Sequence, residues 1–497
     1  MLGGAVLACS LQPFIDGNGD AGDASPHADV DASFLDGTPS TSDAGDGGCT
    51  NLQCKVDLAC GDAGKGETTI TGTVYDPAGA LGLYGIYVYV PNATPDPITP
   101  GGSPNIACSA CQAPASGSPI IGGFTDSHGR FAISRGPGDA WGVPSGDDVP
   151  LVIQAGKWRK QLVIPHVDDC ATVDLDAIFN SGTGTLQDQH QMRLPSKSSE
   201  GDMPLIAFTS GYDPAECFLL HVGIDQSEFV PPGSSTGHVQ FFTGKMSGGN
   251  GNGSQIAGGN TPLETYQWWS DSSNLLQYDM VFNACEGFPN DRRPQQGGNE
   301  NAYKAMDEYL KGGGRLFATH FYGNWFTNSA APDLETAADW HGWNGAGGPG
   351  IFETETVDQS FPKGQAFAEW LLYAGASTTQ GQIALTDTRD DVNGLKPTGC
   401  GGDAGACYST QWIVHPDDEH PRYVSFNTPV GYPNPTQCGR AVLSDVHLSG
   451  TSTGGTFPSE CATSDPDYAA NEKALEFLFF DLASCIQDET KPPTKPN

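Results

Sequence analysis

The chain has 497 residues, which is too long for one ordinary hydrophobic core and long enough for two or three domains. Its formal net charge is −36 and it contains no Lys- or Arg-rich run, which argues against nucleic acid as a partner. The 66 glycines and 37 prolines favour turns, short strands and long surface loops.

The start of the chain carries a lipidation motif. Val6-Leu7-Ala8-Cys9 matches a bacterial lipobox, in which small residues before a cysteine permit signal-peptide cleavage and acylation of that cysteine. Ser10 follows in place of Asp, which by lipoprotein sorting favours the outer membrane. We therefore expect residues 1–9 to be a signal remnant and Cys9 to anchor an exported protein to the outer membrane or cell surface. The alternative is a chance apolar start.

Residues 10–66 are predicted to form a disordered acidic tether. They are rich in Gly, Ala, Ser, Thr and Asp, and the stretch from Asp16 to Asp46 has no Lys or Arg. Such a segment cannot bury enough apolar surface to offset its chain entropy, and its self-repulsion keeps it extended. A calcium-binding array is the alternative, but the irregular Asp spacing lacks the terminal Glu of a calcium loop.

Fourteen cysteines are present, and in an exported chain they are expected to form disulfides. The pairs that bracket Gly-rich loops are Cys400 with Cys407 and Cys438 with Cys461. Cys108 and Cys111 form a CxxC, for which zinc binding is a weak alternative because no second ligand pair lies nearby. With Cys9 acylated the count is odd, and Cys285 is the candidate for the unpaired thiol.

Residues 67–194 alternate apolar and polar side chains with period two, as β-strands do. The predicted strands are Thr68–Tyr75, Gly85–Val90, two strands within Gly123–Ile133, Leu151–Gln154 and Lys160–Ile164. No helical stripe occurs up to residue 180, so we predict an all-β sandwich.

Three motifs of this region carry a family resemblance. They are Ile70-Thr71-Gly72-Thr73-Val74-Tyr75-Asp76-Pro77, Thr125-Asp126-x-x-Gly129-x-Phe131, and the strand Val152–Lys157. They resemble carboxypeptidase regulatory-like domains, which are transthyretin-like or starch-binding-like sandwiches. The resemblance covers about a quarter of the chain. It implies a structural module, or one that binds glycans or proteins, without catalysis.

From residue 195 to 487 apolar strands alternate with helical patterns. The predicted strands are Pro204–Thr209, Val239–Thr243, Tyr278–Asn283, Arg315–Thr319 and Gly439–His447, and the helices are Ala215–Val222, Pro262–Leu276, Asn301–Leu310 and Asn471–Cys485. Continuous apolar strands joined by helices indicate a flavodoxin-like, doubly wound α/β domain with a parallel sheet. Residues 328–437 are predicted to be a long insertion over the edge of the sheet, and residues 488–497 an unstructured tail.

In open α/β sheets, ligands bind beyond the carboxyl ends of the strands. The residues at those ends are Thr209, Ser210 and Gly211, then Cys285 and Glu286, then Thr319 and His320, and last Asp445 and His447. Cys285, Glu286, His320, Asp445 and His447 are therefore the candidate catalytic residues. A thiol, carboxylates and imidazoles facing one crevice exceed what a structural surface needs.

Three hypotheses for this crevice stay open. In the first, His320, His447, Glu286 and Asp445 bind a divalent metal. In the second, Cys285 is a nucleophile and a histidine is its base. In the third, the side chains form a buried polar network in a pseudoenzyme that only binds a ligand.

A second family resemblance covers this domain. Its motifs are Tyr278-Asp279-x-Val281, Gly312-Gly313-Gly314-Arg315-Leu316-x-Ala318-Thr319-His320, and Gly439-Arg440 to His447 before a terminal helix. They resemble the ThuA-like branch of the class I glutamine-amidotransferase-like superfamily, whose chemistry leans toward sugars. True amidotransferases hold a nucleophilic Cys at the turn after the fourth strand, where this chain has Thr319-His320-Phe321, so the resemblance does not imply amidotransferase activity.

Two further motifs have competing interpretations. His415-Pro416-Asp417-Asp418-Glu419-His420 offers metal ligands, although a charged run around a proline is more typical of a solvated turn. The tryptophans Trp268, Trp269, Trp325, Trp340 and Trp343 suit either stacking on sugars or core packing. Together these observations favour a surface lipoprotein that binds glycans or cell-surface proteins. The alternative is a metal-assisted hydrolase or sugar-modifying enzyme that uses the crevice around His320.

Overall fold

The computed structural model describes residues 48–61, 64–101, 111, 115–244, 253–256, 268–287, 300–340, 350–401, 406–449, 455–462 and 465–495. The predicted lipidation site Cys9, the acidic segment before residue 48, Cys108 and Trp343 lie outside these residues. The chain from Cys49 onward forms one compact unit. Within the described ranges, no helix combines the length and the apolar character needed to cross a membrane.

The strands, in chain order, are β1 Thr69–Thr73, β2 Tyr87–Pro91, β3 Pro119–Phe124, β4 Arg130–Ile133, β5 Gly146–Ala155, β6 Trp158–Val167, β7 Thr172–Asp174, β8 Ile206–Thr209, β9 Phe229–Val230, β10 Val239–Phe242, β11 Gln255–Ile256, β12 Met280–Asn283, β13 Arg315–Thr319, β14 Ala338–Trp340, β15 Phe352–Val357, β16 Gln382–Thr386, β17 Val392–Leu395, β18 Thr410–Val414, β19 Pro421–Thr428, β20 Gly439–Ser444 and β21 Thr456–Phe457. The α-helices are α1 Leu175–Phe179, α2 Leu186–Gln189, α3 Ala215–His221, α4 Ser272–Leu275, α5 Glu300–Lys311, α6 Pro332–Glu335, α7 Pro362–Tyr373 and α8 Ala469–Ala483. Short 3-10 helices cover Asn51–Lys55, Gln226–Glu228, His320–Phe326, Asn434–Thr436, Ser459–Ala462 and Pro466–Tyr468.

Two sheets account for residues 69–174. A three-stranded sheet has the order β4-β1-β7, and a four-stranded sheet has the order β3-β2-β5-β6. Alternation places Phe131 and Ile133 of β4 inside, and they share one hydrophobic core with Val88 and Ile153 of the second sheet. The short helices α1 and α2 follow these sheets, so residues 67–194 are not all β as predicted. Asp174, the N-cap of α1, accepts a hydrogen bond from the backbone N–H of Asp176.

The α/β prediction is confirmed by a ten-stranded sheet with the order β16-β15-β18-β19-β20-β13-β12-β8-β10-β9. The six strands from β20 to β9 are parallel, and their side chains are almost all buried. Strand β8 lies between β10, which follows it in the chain, and β12, so the strand order reverses there. This 2-1-3-4-5 order is that of flavodoxin-like folds, whose ligands bind at the reversal.

The segment predicted to be an insertion over the sheet edge instead extends the sheet, which is therefore mixed and not purely parallel. Strands β19, β18, β15 and β16 continue it beyond β20 as antiparallel neighbours. The sequence hides this extension because β15, with the sequence Phe-Glu-Thr-Glu-Thr-Val, alternates exposed and buried residues without an apolar run. Antiparallel strands often have one solvated face, so only every second side chain has to be suited to burial and no continuous apolar run is needed.

Helix α8 joins the two parts of the compact unit. Its aromatic residues Phe479 and Phe480 contact Trp158 of β6, with ring centroids 5.6 and 5.7 Å apart. The disulfide between Cys111 and Cys485 crosses the same boundary. The β-sheets of residues 69–174 are thus fixed to the α/β domain by buried apolar contact and by a covalent bond.

Disulfides confirm one predicted loop pairing and correct another. The bonds among described residues are Cys49–Cys54, Cys60–Cys170, Cys111–Cys485, Cys217–Cys461 and Cys400–Cys407. Cys461 therefore bonds to Cys217 of α3 and not to Cys438, because proximity in the fold overrides proximity in the chain. As predicted, Cys285 is a free cysteine.

Residues 488–497 are predicted to be an unstructured tail, but Glu489 contacts the folded domain. Glu489 is 4% exposed, and it forms an ion pair with Arg440 and, at 3.2 Å, with Lys363. These contacts fasten the residues after α8 to the sheet and to α7.

Candidate functional site

Four polar side chains meet at the carboxyl ends of the parallel strands. Asp213 follows β8, Cys285 follows β12, His320 follows β13 and His447 follows β20. Because these strands are parallel and form a continuous block, the residues after each strand lie along one edge of the sheet. The crevice lies where the strand order reverses, between β8 and β12.

Cys285 is fully buried and lies next to an imidazole. Its Sγ is 3.3 Å from Nδ1 of His320 and accepts a hydrogen bond from the backbone N–H of Gly287 at 3.2 Å. Burial, helped by the negative charge of Asp213, raises the pKa of the thiol well above its usual range. The hypothesis of an activated nucleophile requires a lowered pKa, so the environment of this thiol opposes it.

His320 occupies the turn that follows β13. Its φ is +39°, in the left-handed region that non-glycine residues seldom adopt, although His is enriched there. Such a conformation costs on the order of 1–3 kcal/mol and is typical of functional sites. Burial lowers the pKa of His320 well below its usual range, with further contributions from His447 and Arg389. Its imidazole is therefore neutral at physiological pH.

A buried carboxylate orients His447. Asp213 Oδ1 is 2.6 Å from Nδ1 of His447, and Asp213 Oδ2 accepts a hydrogen bond from the Thr319 hydroxyl at 2.9 Å. The Thr319 hydroxyl oxygen in turn accepts the backbone N–H of Cys285 at 2.7 Å. This chain of contacts fixes the ring of His447 and leaves Nε2 as the nitrogen that can bind a ligand.

Cys285, His320 and His447 together form a possible metal-binding cluster. Their Sγ atom and one nitrogen of each ring lie within 4.8 Å of one another, and all three residues are buried. One cysteine sulfur and two imidazole nitrogens are a donor set that suits zinc and similar divalent transition metals. The hydrogen bond from Asp213 to His447 is the outer contact that metal-binding histidines usually make.

The other two predicted site residues lie outside this cluster. Glu286 is fully buried beside Cys285, but its carboxylate lies against the backbone of Gly244. The Asp445 carboxylate accepts the backbone N–H of Asp391 at 2.7 Å. Burial and the charge of Asp391 raise the pKa of Asp445 well above its usual range, which disfavours the charged form that would bind a cation.

Three residues of the crevice are missing from the sequence-based set. Asp213 lies two residues beyond Gly211, where the predicted strand end stops, so a longer window after β8 would have included it. Asp391, with Oδ2 3.8 Å from Nε2 of His320, and the partly exposed Arg389 come from the antiparallel extension. No local signal in the sequence connects that segment to the crevice.

The tryptophans mainly pack within the protein. Trp269 and Trp325 are fully buried and lie edge to face, with centroids 5.3 Å apart. Trp268 packs on Phe242 and Trp340 on Phe326. Their contacts are those of core residues.

Comparison with known proteins adds no function. No protein-family model and no curated protein matches the chain. Similar solved structures include the cytoplasmic protein STM3548 from Salmonella typhimurium, at 14% identity over 57% of this chain and 99% of that one, with a TM-score of 0.29. A putative thua-like protein from Bacteroides uniformis is 9% identical over 58% of this chain and 93% of that one, with a TM-score of 0.28. A putative thua-like protein from Parabacteroides merdae is 10% identical over 58% of this chain and 95% of that one, with a TM-score of 0.27. At these values the likeness carries no argument about activity, which has to come from the site.

Proposed function

We propose that the α/β domain is a metal-dependent hydrolase or sugar-modifying enzyme whose metal is bound by Cys285, His320 and His447. The observation that carries the proposal is the convergence of three buried ligand atoms within 4.8 Å, one of them on a histidine that Asp213 orients. Three protein ligands leave one position of a tetrahedral metal for water or substrate, as in catalytic zinc sites.

Each residue of the crevice has a part in this proposal. Asp213 holds His447 in the tautomer that binds through Nε2, and the backbone N–H of Gly287 stabilises negative charge on Sγ of Cys285. The strained turn holds His320 against Cys285. When bound, a zinc-like ion would supply Lewis acidity and lower the pKa of a coordinated water.

Arg389 is suited to substrate binding. Its side chain is 17% exposed and forms an ion pair with Asp387 at 2.8 Å, and its charge lowers the pKa values of both His320 and Cys285. A partly exposed guanidinium close to the proposed metal ligands favours an anionic group on the substrate. Phosphorylated or carboxylated sugars are therefore the substrates to screen first.

Elemental analysis of the purified full chain tests the proposal. We expect about one zinc-class ion per chain in the wild type and loss of that ion in His320→Ala/His447→Ala. The matched control is His221→Ala/His238→Ala, which removes two histidines that also face carboxylates but lie outside the cluster. Equal metal content in both double variants, or none in the wild type after zinc reconstitution, would contradict the proposal.

A second candidate function is glycan binding, and a separate cleft favours it. The cleft has a volume of about 1140 Å³, and its lining includes Tyr408, Tyr432, Gln411 and Asn434. The two tyrosines are 40% and 60% exposed. Exposed aromatic faces beside amide groups can stack on sugar rings and hydrogen-bond their hydroxyls.

A glycan array with variants of the two tyrosines tests whether this cleft binds sugars. Tyr408→Ala/Tyr432→Ala should abolish any glycan signal, whereas Tyr408→Phe/Tyr432→Phe should retain it because the rings remain. A signal that survives the alanine variant would rule out this cleft as the binding site.

We also propose that the protein is exported and anchored to the outer membrane through an acylated Cys9. The proposal is supported by the lipobox sequence and by the disulfides of the described residues, which are typical of oxidising compartments. Mass spectrometry of the membrane fraction should find a diacylglyceryl group on Cys9. Release of the full-length, unmodified chain into the soluble fraction would contradict the proposal.

A further inference from the structure

We propose that Glu353, Glu355 and His415 form a second divalent-cation site, separate from the crevice and of different ligand chemistry. One carboxylate oxygen of each glutamate and one ring nitrogen of His415 lie within 4.8 Å of one another. Two carboxylates and an imidazole suit Mn²⁺ and similar ions that prefer oxygen ligands, whereas the crevice offers a cysteine sulfur.

Sheet geometry brings these side chains together. Glu353 and Glu355 are two residues apart on β15, so both point to the face on which Val357 is buried. Strand β15 pairs with β18 in antiparallel register, with Thr356 opposite Val414. Continuing that register by one residue puts Glu355 opposite His415, where cross-strand side chains are neighbours.

The buried carboxylate of Glu355 has an oxygen without a partner. Glu355 is 0% exposed, and its Oε1 accepts a hydrogen bond from Nε of Arg422 at 3.1 Å. Its Oε2 makes no hydrogen bond to any described residue. A buried carboxylate oxygen without a hydrogen-bond partner costs free energy that a bound cation would recover.

His415 offers a nitrogen in a similar state. Its Nδ1 lies 3.2 Å from Oδ1 of Asp418 but has no hydrogen bond of acceptable geometry among the described residues. The side chain as a whole is 18% exposed, so the cluster lies close to the protein surface.

The local charge balance also favours a cation. Glu355 and Asp390 contact the guanidinium of Arg422, and each belongs to a cluster that adds one more carboxylate and one imidazole. Four carboxylates exceed one permanent positive charge, and a dication would reduce the excess.

The position of the site suggests a structural role. The hydroxyl of Thr388 donates a hydrogen bond to Glu353, and Arg422 donates one to the backbone carbonyl of Arg389 at 2.7 Å. An ion bound here would therefore stabilise the segment that supplies Arg389 and Asp391 to the crevice. This consequence rests on the proposed function, but binding of the ion does not.

Mn²⁺ titration followed by electron paramagnetic resonance tests the inference on the full chain. We expect one bound Mn²⁺ in the wild type and in Cys285→Ser/His447→Ala, which lacks the crevice ligands, so the two proposals can fail independently. Glu353→Gln, at a partly exposed position that tolerates the isosteric amide, should weaken Mn²⁺ binding by at least about tenfold. His415→Ala should do the same.

The control is His420→Ala, which alters the neighbouring cluster of Asp390, Asp418 and His420 without touching the proposed ligands. This variant should retain Mn²⁺ affinity. Absence of bound Mn²⁺ in the wild type, unchanged affinity in both Glu353→Gln and His415→Ala, or loss of binding in His420→Ala alone would overturn the inference.

Discussion

Replacement of Asp213 by Asn isolates the contribution of the carboxylate that orients His447. Asp213 accepts three hydrogen bonds, from Nδ1 of His447 at 2.6 Å, from the Thr319 hydroxyl at 2.9 Å and from the backbone N–H of Leu448 at 3.3 Å. Asn keeps one acceptor oxygen for His447 and Leu448 but turns an N–H group toward Thr319. The Thr319 oxygen already accepts the N–H of Cys285, so its own proton loses its acceptor.

The expected effect on metal binding follows from these losses. Removal of an outer partner of a metal-binding histidine lowers affinity by about 10- to 100-fold. This range corresponds to a loss of about 1.4–2.7 kcal/mol in binding free energy. We expect Asp213→Asn near the upper end, because it removes a charge and leaves the Thr319 hydroxyl without an acceptor. Competition with a chromophoric zinc chelator measures the change.

A matched control is Glu228→Gln, which alters the same kind of pair, Glu228 with His238, away from the crevice. That variant should bind zinc as the wild type does. The reasoning is refuted if folded Asp213→Asn binds zinc within about twofold of the wild type, or if both variants weaken binding equally.

Three further predictions concern stability and reactivity. Trp158→Ala should lower the free energy of unfolding by about 3–5 kcal/mol in chemical denaturation, because a fully buried indole against Phe479 is lost, while Trp158→Phe should cost less. Cys285 should resist alkylation at pH 8 in the native protein and react after unfolding; modification of the native thiol would contradict its burial and raised pKa. Two hydrogen bonds from Arg193 help lower the pKa of Glu200 to about 2, below its ordinary value of 4.5. The stabilisation from Glu200 should thus be complete above pH 4.5 and fade as pH falls toward 2, and Glu200→Gln should remove that part of the acid dependence of Tm.

The parallel strands could be predicted from the sequence because they are short, continuous apolar runs. Strand β13 is predicted at its observed bounds, Arg315–Thr319, and α5 is predicted to within one residue at each end. Strand β15 could not be predicted, since its inward row is Glu353, Glu355 and Val357, which does not resemble a core-facing strand. Inward-facing polar residues whose partners lie on a neighbouring strand are not detected by rules based on apolar periodicity.

The candidate site was predictable to the extent that it depends on strand ends. Cys285, His320 and His447 each follow a parallel strand closely, and the fold brings them together. Asp445 also ends such a strand, but its carboxylate accepts a hydrogen bond from the backbone of Asp391, a contact between residues 54 positions apart in the chain. Contacts of that kind depend on the antiparallel extension. The sequence pattern alone therefore could not distinguish the proposed metal ligands from neighbouring residues, such as Asp445, that bond to the backbone.

Titration with Co²⁺, followed by near-ultraviolet absorption spectroscopy, tests most directly whether Cys285, His320 and His447 hold one metal. Cys285 is the free thiol among the described cysteines, so a thiolate-to-cobalt charge-transfer band reports on this cluster. We predict a band that saturates at a single Co²⁺ per chain, disappears in Cys285→Ser and persists in His238→Ala. A wild-type chain without the band, or a Cys285→Ser variant that retains it, would contradict the account.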